Sequence, residues 1–262
     1  MKTFLTDDGV RLAYTDEGRG RPVVLIAGYS APASSWFLQE RALLKAGYRV
    51  ICFDRRSHGA SENPAFGQNM ARQGQDIHCL LTELDLRDAV LVGQSMGASS
   101  VFSYVAQFGT GQLSGVVDID QTPKMLNDEA WPNGMYGLNA ETRPDYFDKA
   151  LPTPNILPIS KRVLTKVLLS AVGQKPFDRE GTKPLLLDHA DADWLPVLPK
   201  IDVPALFIAG EKSPMWPAAH AEASAALCPK GSFVVVPGSG HAVNWECPEE
   251  ANRILLEFLA GL

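Results

Sequence analysis

The stretch Ala89-Val90-Leu91-Val92-Gly93-Gln94-Ser95-Met96-Gly97 decides the fold, because a short apolar run passes through a G-x-S-x-G pentapeptide into residues of helical spacing. Ala89 to Val92 reads as a buried strand, and Ala98 to Phe108 carries apolar residues at the period of a helix. A strand that becomes a helix at Ser95 holds that hydroxyl on a sharp, strained bend. Side chains at 93 and 97 would crowd such a bend, which gives the two glycines a physical reason. The amides that open the helix at Met96 would point toward any anion formed at the serine.

Outward from this bend the same alternation recurs. Pro22 to Ala27 is a continuous apolar run ending at Gly28, as suits a central strand, and Val10 to Tyr14 alternates. A helix is predicted over Trp36 to Lys45, closed by Gly47-Tyr48, and a strand over Arg49 to Asp54. Residues 73 to 85 place Ile77, Leu80, Leu81 and Leu84 at helical spacing, and Leu113 to Asp120 reads as a further strand. Repeated βα units predict an α/β fold with a mostly parallel, doubly wound sheet and helices on both faces.

From Gln121 to about Pro199 the pattern breaks. That segment is rich in proline and holds Trp131, Tyr136, Tyr146, Phe147, Phe177 and Trp194, with one clear helical stretch from Ser160 to Val172. Regular units resume at Val203 to Gly210 and end with Ser232 to Val236 and a helix over Pro248 to Leu259. Nearly eighty residues is long for a plain connection. The expectation is one structural unit, with residues 1–120 and 200–262 as core and 121–199 as a cap inserted over the carboxyl edge of the sheet, where ligands bind in such folds.

Composition narrows the function classes. With 24 basic and 30 acidic residues the formal charge of the 262-residue chain is −6, which argues against binding a phosphate backbone. The first residues alternate polar and apolar without a signal-peptide core, and no run approaches a membrane span. A cytoplasmic protein with neither nucleic-acid nor membrane partners is expected, acting on a small molecule as a monomer or homodimer. Cys52, Cys79, Cys228 and Cys247 are too scattered for a zinc site or a disulfide frame. No metal cluster emerges, and Gly18-Arg19-Gly20 lacks the setting of a dinucleotide site, so no cofactor is expected.

The order of segments resembles the α/β-hydrolase superfamily, in its compact, capped bacterial esterase, haloperoxidase-like and C–C hydrolase branch. The small-residue turn after the third strand stands here as Ala27-Gly28-Tyr29, where a His-Gly pair is more usual. The D-x-R-G-x-G-x-S loop stands as Asp54-Arg55-Arg56-Ser57-His58-Gly59-Ala60-Ser61, and the terminal pattern as Gly238-Ser239-Gly240-His241 through Glu246, Pro248 and Glu249. The resemblance spans the core on both sides of the 121–199 segment.

A serine hydroxyl is a weak nucleophile near neutral pH and needs a base. His241, in a glycine-flanked loop between the last strand and the last helix, is the candidate, since it fits the chain order nucleophile, acid, histidine. His58 belongs to the Asp54 loop and His78 to a helix, while His189 and His220 have no motif around them. The resemblance implies an oxyanion hole formed by the amides of Met96 and Tyr29; the Tyr29 ring is also a candidate pocket aromatic.

The acid departs from the usual pattern. Relatives place an aspartate shortly after the strand before the histidine strand, and here that segment reads Gly210-Glu211-Lys212-Ser213, with Ser213 in the expected place. Some members resemble pancreatic lipase in carrying the acid one strand earlier, which in this chain is Asp120. Asp120 is the expected acid, Glu211 and Ser213 are the alternatives, and Asp118, two residues earlier on the same side, is a weaker one. Asp120 as a plain cap on the following segment is the structural reading, and Asp54, Arg55, Arg56, Ser57, His58 and Ser61 read as loop architecture. The implied function is a serine hydrolase of carboxylic esters, thioesters or lactones. The alternatives are a C–C bond hydrolase, with perhydrolysis as a side activity of either, and a hydrolase-fold binding protein with weakened catalysis.

Overall fold

The computed structural model describes residues 1–148, 152–172 and 176–262. Eight strands form one sheet: β1 (Lys2–Leu5), β2 (Arg11–Glu17), β3 (Pro22–Ile26), β4 (Arg49–Asp54), β5 (Ala89–Gln94), β6 (Leu113–Ile119), β7 (Ala205–Gly210) and β8 (Gly231–Val236). Their spatial order is β1-β2-β4-β3-β5-β6-β7-β8. The first two pairings are antiparallel and every later one is parallel.

The parallel part follows from the apolar runs. Strands β3 and β5 bury nearly every residue, so both faces need cover, and helices provide it. On one face Val24, Ile26, Leu91 and Phe207 pack with Ile77 and Leu80 of α2 (Met70–Glu83) and Val101 and Phe102 of α3 (Met96–Phe108), joined by Ala221 of α7 (Ala219–Leu227). On the other, Val23, Leu25, Val90 and Val92 pack with Leu43 of α1 (Phe37–Lys45) and with Ile254 and Leu255 of α9 (Pro248–Ala260).

Several bounds differ from the sequence reading, each for a local reason. The helix expected from 36 starts as a 3-10 turn, Ala33–Trp36, before α1. The one expected from 73 begins at Met70, because the Asn69 side chain caps it by accepting from the Arg72 amide at 2.8 Å. The 121–199 segment holds α5 (Lys161–Ala171), capped by Ser160, and also α4 (Arg143–Tyr146) and α6 (Lys183–Asp191). Those two escape a periodicity search because they are short and carry proline in the first turn. The remaining short helix, α8 (Val243–Glu246), lies in the loop before α9.

After β4 the chain crosses back over β3 to β5, so the connections diverge between these two neighbours. Such a switch point opens a crevice at the carboxyl ends of the strands, and both the Gly28 turn and Ser95 lie there. Among the described residues no helix is long and apolar enough to cross a membrane, and the four cysteines are unpaired.

Candidate active site

Ser95 joins β5 to α3 with φ 54° and ψ −131°. A non-glycine residue there stores on the order of 1–3 kcal/mol of strain, held by its surroundings. Its amide donates to Ile119 O at 3.0 Å and its carbonyl accepts from the Ala98 amide at 2.8 Å. The neighbouring glycines are steric necessities: a Cβ at Gly97 would lie 2.1 Å from Ile26 O, and one at Gly93 would lie 2.3 Å from the Ala98 backbone. Gly28 lets the turn after β3 close on the bend, since a Cβ there would meet Ser95 Cβ at 3.0 Å.

That turn is braced from below by Arg55. Its fully buried guanidinium donates through Nε to Ala27 O and through Nη2 to Gly28 O, both at 2.9 Å, and through Nη1 to Gln73 Oε1 at 2.8 Å. Burial pushes the Arg55 guanidinium below its usual range. The same cause, with Arg55 itself, drives His58 well below the ordinary imidazole value, and His58 donates from Nδ1 to Arg56 O at 2.8 Å. Neither the Tyr29 nor the Met96 amide has a backbone acceptor among the described residues, and for Met96 that is expected of the first residue of a helix. The Tyr29 phenol bonds Thr182 Oγ1 at 2.9 Å, tying the turn to the 121–199 segment.

His241 Nδ1 lies 2.7 Å from Asp120 Oδ2, so this nitrogen donates and Nε2 carries the lone pair. Nε2 meets the Gln94 side-chain nitrogen at 3.4 Å, one residue before Ser95. Asp120 follows β6 with φ 52° and is completely buried. Its Oδ1 accepts from the Gly210 amide at 2.8 Å and its Oδ2 also accepts from Ser213 Oγ at 2.7 Å. Burial opposes its ionisation, but the two neighbouring imidazoles, His220 and the hydrogen-bonded His241, outweigh that and hold the carboxyl at about 2. The 3.6 Å separation of His220 Nε2 from Oδ1 is too long for a hydrogen bond, so His241 is the dominant partner.

Of the residues singled out in the sequence, Ser95, Met96, Tyr29 and His241 line one cavity of about 620 Å³, with Asp120 behind the histidine. Ser213 reaches Asp120 rather than the imidazole. Glu211 turns away and accepts from the Gly238 amide at 2.8 Å. Asp118 is buried without a hydrogen-bond partner for either oxygen. Asp54 is architectural, accepting from the Ala33 amide at 2.6 Å and the Ala60 amide at 3.0 Å.

Other contributors had no signal in the sequence. Trp216 stands edge-on to His241 at 5.1 Å and to His220 at 6.2 Å. His189, at the cavity wall, is pushed down to about 3 by burial and by the nearby Arg55 and His241 charges, so it stays neutral and bonds Ser99 Oγ at 2.9 Å. Glu246 was legible as part of the terminal pattern, but its work is visible only in space. Its Oε2 accepts from the amides of Gly240 at 3.1 Å, Leu157 at 2.9 Å and Ile156 at 3.2 Å, while the His241 amide donates to Pro154 O at 3.0 Å. The wall is sulfur-rich, with Met96, Met125, Met135 and Met215, four of the six methionines in the chain, and it also carries Gln94, Asn155, Asn244 and the Arg179 guanidinium.

A family model described as "Alpha/beta hydrolase family" matches residues 23–254. The non-heme chloroperoxidase CPO-A1 of Kitasatospora aureofaciens is 32% identical, covering 99% of this chain and 99% of that protein. The bifunctional esterase/perhydrolase DCH of Acinetobacter calcoaceticus is 28% identical over 99% of each. Among solved structures, a bromoperoxidase from Bacillus anthracis superposes with a TM-score of 0.82 at 28% identity, covering 99% of this chain and 100% of that one.

Proposed function

The chain belongs to the α/β-hydrolase family, and from that premise we propose that it is a serine hydrolase cleaving a carboxylic ester, thioester or lactone through an acyl-enzyme. The observation that carries the reading is the 2.7 Å hydrogen bond from His241 to a fully buried, ionised Asp120, beside a serine held on a strained turn.

In this reading His241 Nε2 takes the Ser95 proton as the hydroxyl attacks the substrate carbonyl. Asp120 fixes the tautomer and offsets the imidazolium charge. The amides of Met96 and Tyr29 hold the oxyanion, each worth about 3 to 4 kcal/mol in typical serine hydrolases. The imidazolium then returns its proton to the leaving group, and water deprotonated by His241 releases the acid. Segment 121–199 acts as the cap, since it supplies Met125, Met135, Phe147, Leu186 and His189 to the cavity wall. The methionine-rich part of that wall favours an apolar acyl or alcohol part, while Arg179 from the same segment sets a cation at the cavity.

The names of two relatives favour a second use of the same intermediate. If hydrogen peroxide replaces water at the acyl-enzyme, the product is a peracid and Ser95 is regenerated. A p-nitrophenyl butyrate assay tests the main reading: a burst of p-nitrophenol is expected, abolished by Ser95→Ala. No burst, together with no fluorophosphonate labelling of Ser95, would sink it.

A further inference from the structure

The cavity is electrically one-sided. The chain holds 30 acidic residues against 24 basic ones, yet among the described residues no aspartate or glutamate lines the cavity, whereas the Arg179 guanidinium does. Arg179 comes from the turn before α6 and stays exposed, which sets it at the cavity mouth. Among the described residues its side chain has no hydrogen bond and no ion pair. The carboxylate next to it in sequence, Asp178, is taken elsewhere: it accepts from the Gly181 amide at 2.8 Å and from Asn63 Nδ2 at 3.1 Å.

A second cation lies under the floor. Arg55 donates to the carbonyl of Gly28, itself a lining residue, and its partners, Ala27 O, Gly28 O, Gln73 Oε1 and the neutral His58 ring, are all uncharged. Held at about 9 by burial, the guanidinium stays protonated at neutral pH. A buried charge with only uncharged partners is screened little, so its field reaches the cavity. Tyr29 registers both cations. Burial raises its phenol above the usual range, and the Thr182 bond and then the charges of Arg179 and Arg55 oppose that. The Asp120 charge stands behind His241 and is bonded to it.

We propose that the substrate carries a free carboxylate besides the bond that is cleaved, and that Arg179 is the residue that selects it. This deepens the serine-hydrolase reading and rests on it. A carboxylate brought against methionines alone would lose its hydration unpaired. A guanidinium with its donors free offsets that loss by a bidentate pair. Met125, Met135 and Met215 pack in one cluster with Trp216, while Tyr29 and Leu186 pack in another with Met96, so the cavity has a separate apolar side for the rest of the molecule. The substrate class is therefore an ester, thioester or lactone with an apolar stretch and an anionic end, in either its acyl or its alcohol part. Because Arg179 is exposed, its selection is worth about tenfold rather than the larger factor of a buried pair.

Two substrate pairs test this, each an anion against a neutral match: mono-p-nitrophenyl adipate against p-nitrophenyl hexanoate for the acyl part, and para-carboxyphenyl butyrate against para-acetylphenyl butyrate for the alcohol part. The readout is the ratio of kcat/KM, anion over neutral, in wild type, R179M and R179K. In one pair the ratio should fall about tenfold in R179M, through KM rather than kcat, with R179K keeping most of it. High salt should lower the wild-type ratio of that pair as well. The pair that responds tells which part carries the carboxylate. Ratios that R179M leaves unchanged in both pairs, including a loss shared equally by anion and neutral ester, overturn the proposal. Titration of S95A with the members of the responding pair keeps the test independent of turnover. The anion should bind about tenfold more weakly to S95A/R179M than to S95A, and equal affinities overturn the proposal. A wild-type chain without a Ser95-dependent burst would instead reject the hydrolase reading, and titration of S95A with both pairs would still decide the role of Arg179.

Discussion

Replacing Arg55 by lysine separates the oxyanion turn from the rest of the site. The guanidinium spans three acceptors, Ala27 O, Gly28 O and Gln73 Oε1, at 2.8 to 2.9 Å. A lysine brings one nitrogen, which reaches one carbonyl and leaves the other unpaired in the interior. A hydrogen bond from a charged donor is worth about 1.5–3 kcal/mol, and a stranded buried carbonyl costs about 1–3 kcal/mol, so R55K should lose roughly 3 kcal/mol of stability in urea titrations. The turn then no longer fixes the Tyr29 amide. Losing the aim of one of two oxyanion donors should lower kcat about 10²-fold, with KM nearly unchanged because the donor acts mainly on the tetrahedral intermediate. The assay is steady-state hydrolysis of p-nitrophenyl butyrate at a temperature where both proteins are folded. An R55K enzyme that is less stable yet keeps kcat within twofold would refute the reasoning, since the turn would then be held by β3 alone.

Two further outcomes follow from the same geometry. Tyr29→Phe removes the 2.9 Å bond to Thr182 but leaves the amide, so turnover should stay within about threefold and stability should fall by about 1 kcal/mol; a loss of 100-fold in kcat would place the phenol in the chemistry. Asp118 tests pH dependence. Burial first, then the Asp120 charge, pushes its carboxyl well above the usual range, so the native state keeps a proton that the unfolded chain releases above about pH 3.9. Its contribution is therefore complete below about pH 4 and is lost as pH rises toward the native value, at up to about 1.4 kcal/mol per pH unit. Asp118→Asn keeps the neutral shape, so its stability should match wild type near pH 4 and exceed it increasingly from pH 5 to 7; parallel curves would contradict this.

The sequence was most legible where backbone geometry restricts residue choice. Gly93 and Gly97 are required by contacts of 2.3 Å and 2.1 Å, and that requirement is local enough to read as a motif. The strands were legible because burial on both faces leaves long apolar runs; the expected strand Arg49 to Asp54 coincides with β4. Segment 121–199 was not, since α4 and α6 are short and carry proline in the first turn. Arg55 could be read as loop architecture but not as the brace of the Gly28 turn, because its acceptors lie 27 and 28 residues away. His220 and Trp216 surround the Asp120–His241 pair with no motif of their own, since what places them is the packing of α7 and the loop before it. The position of Asp120 was inferred from chain order, and its hydrogen bond to His241 spans 121 residues that no local pattern records.

The Glu246 carboxylate clasps Gly240 and the 156–157 amides together, and His241 hangs its own amide on Pro154. The histidine loop and the chain that roofs the cavity are thus sewn by one seam. Remodelling that roof to admit a bulkier acyl group would drag on the imidazole, so selectivity and turnover are not separate dials in this protein. The Tyr29 side chain, which bonds Thr182 and not the histidine loop, lies outside that seam, and changes there can recut the cavity without loosening the base.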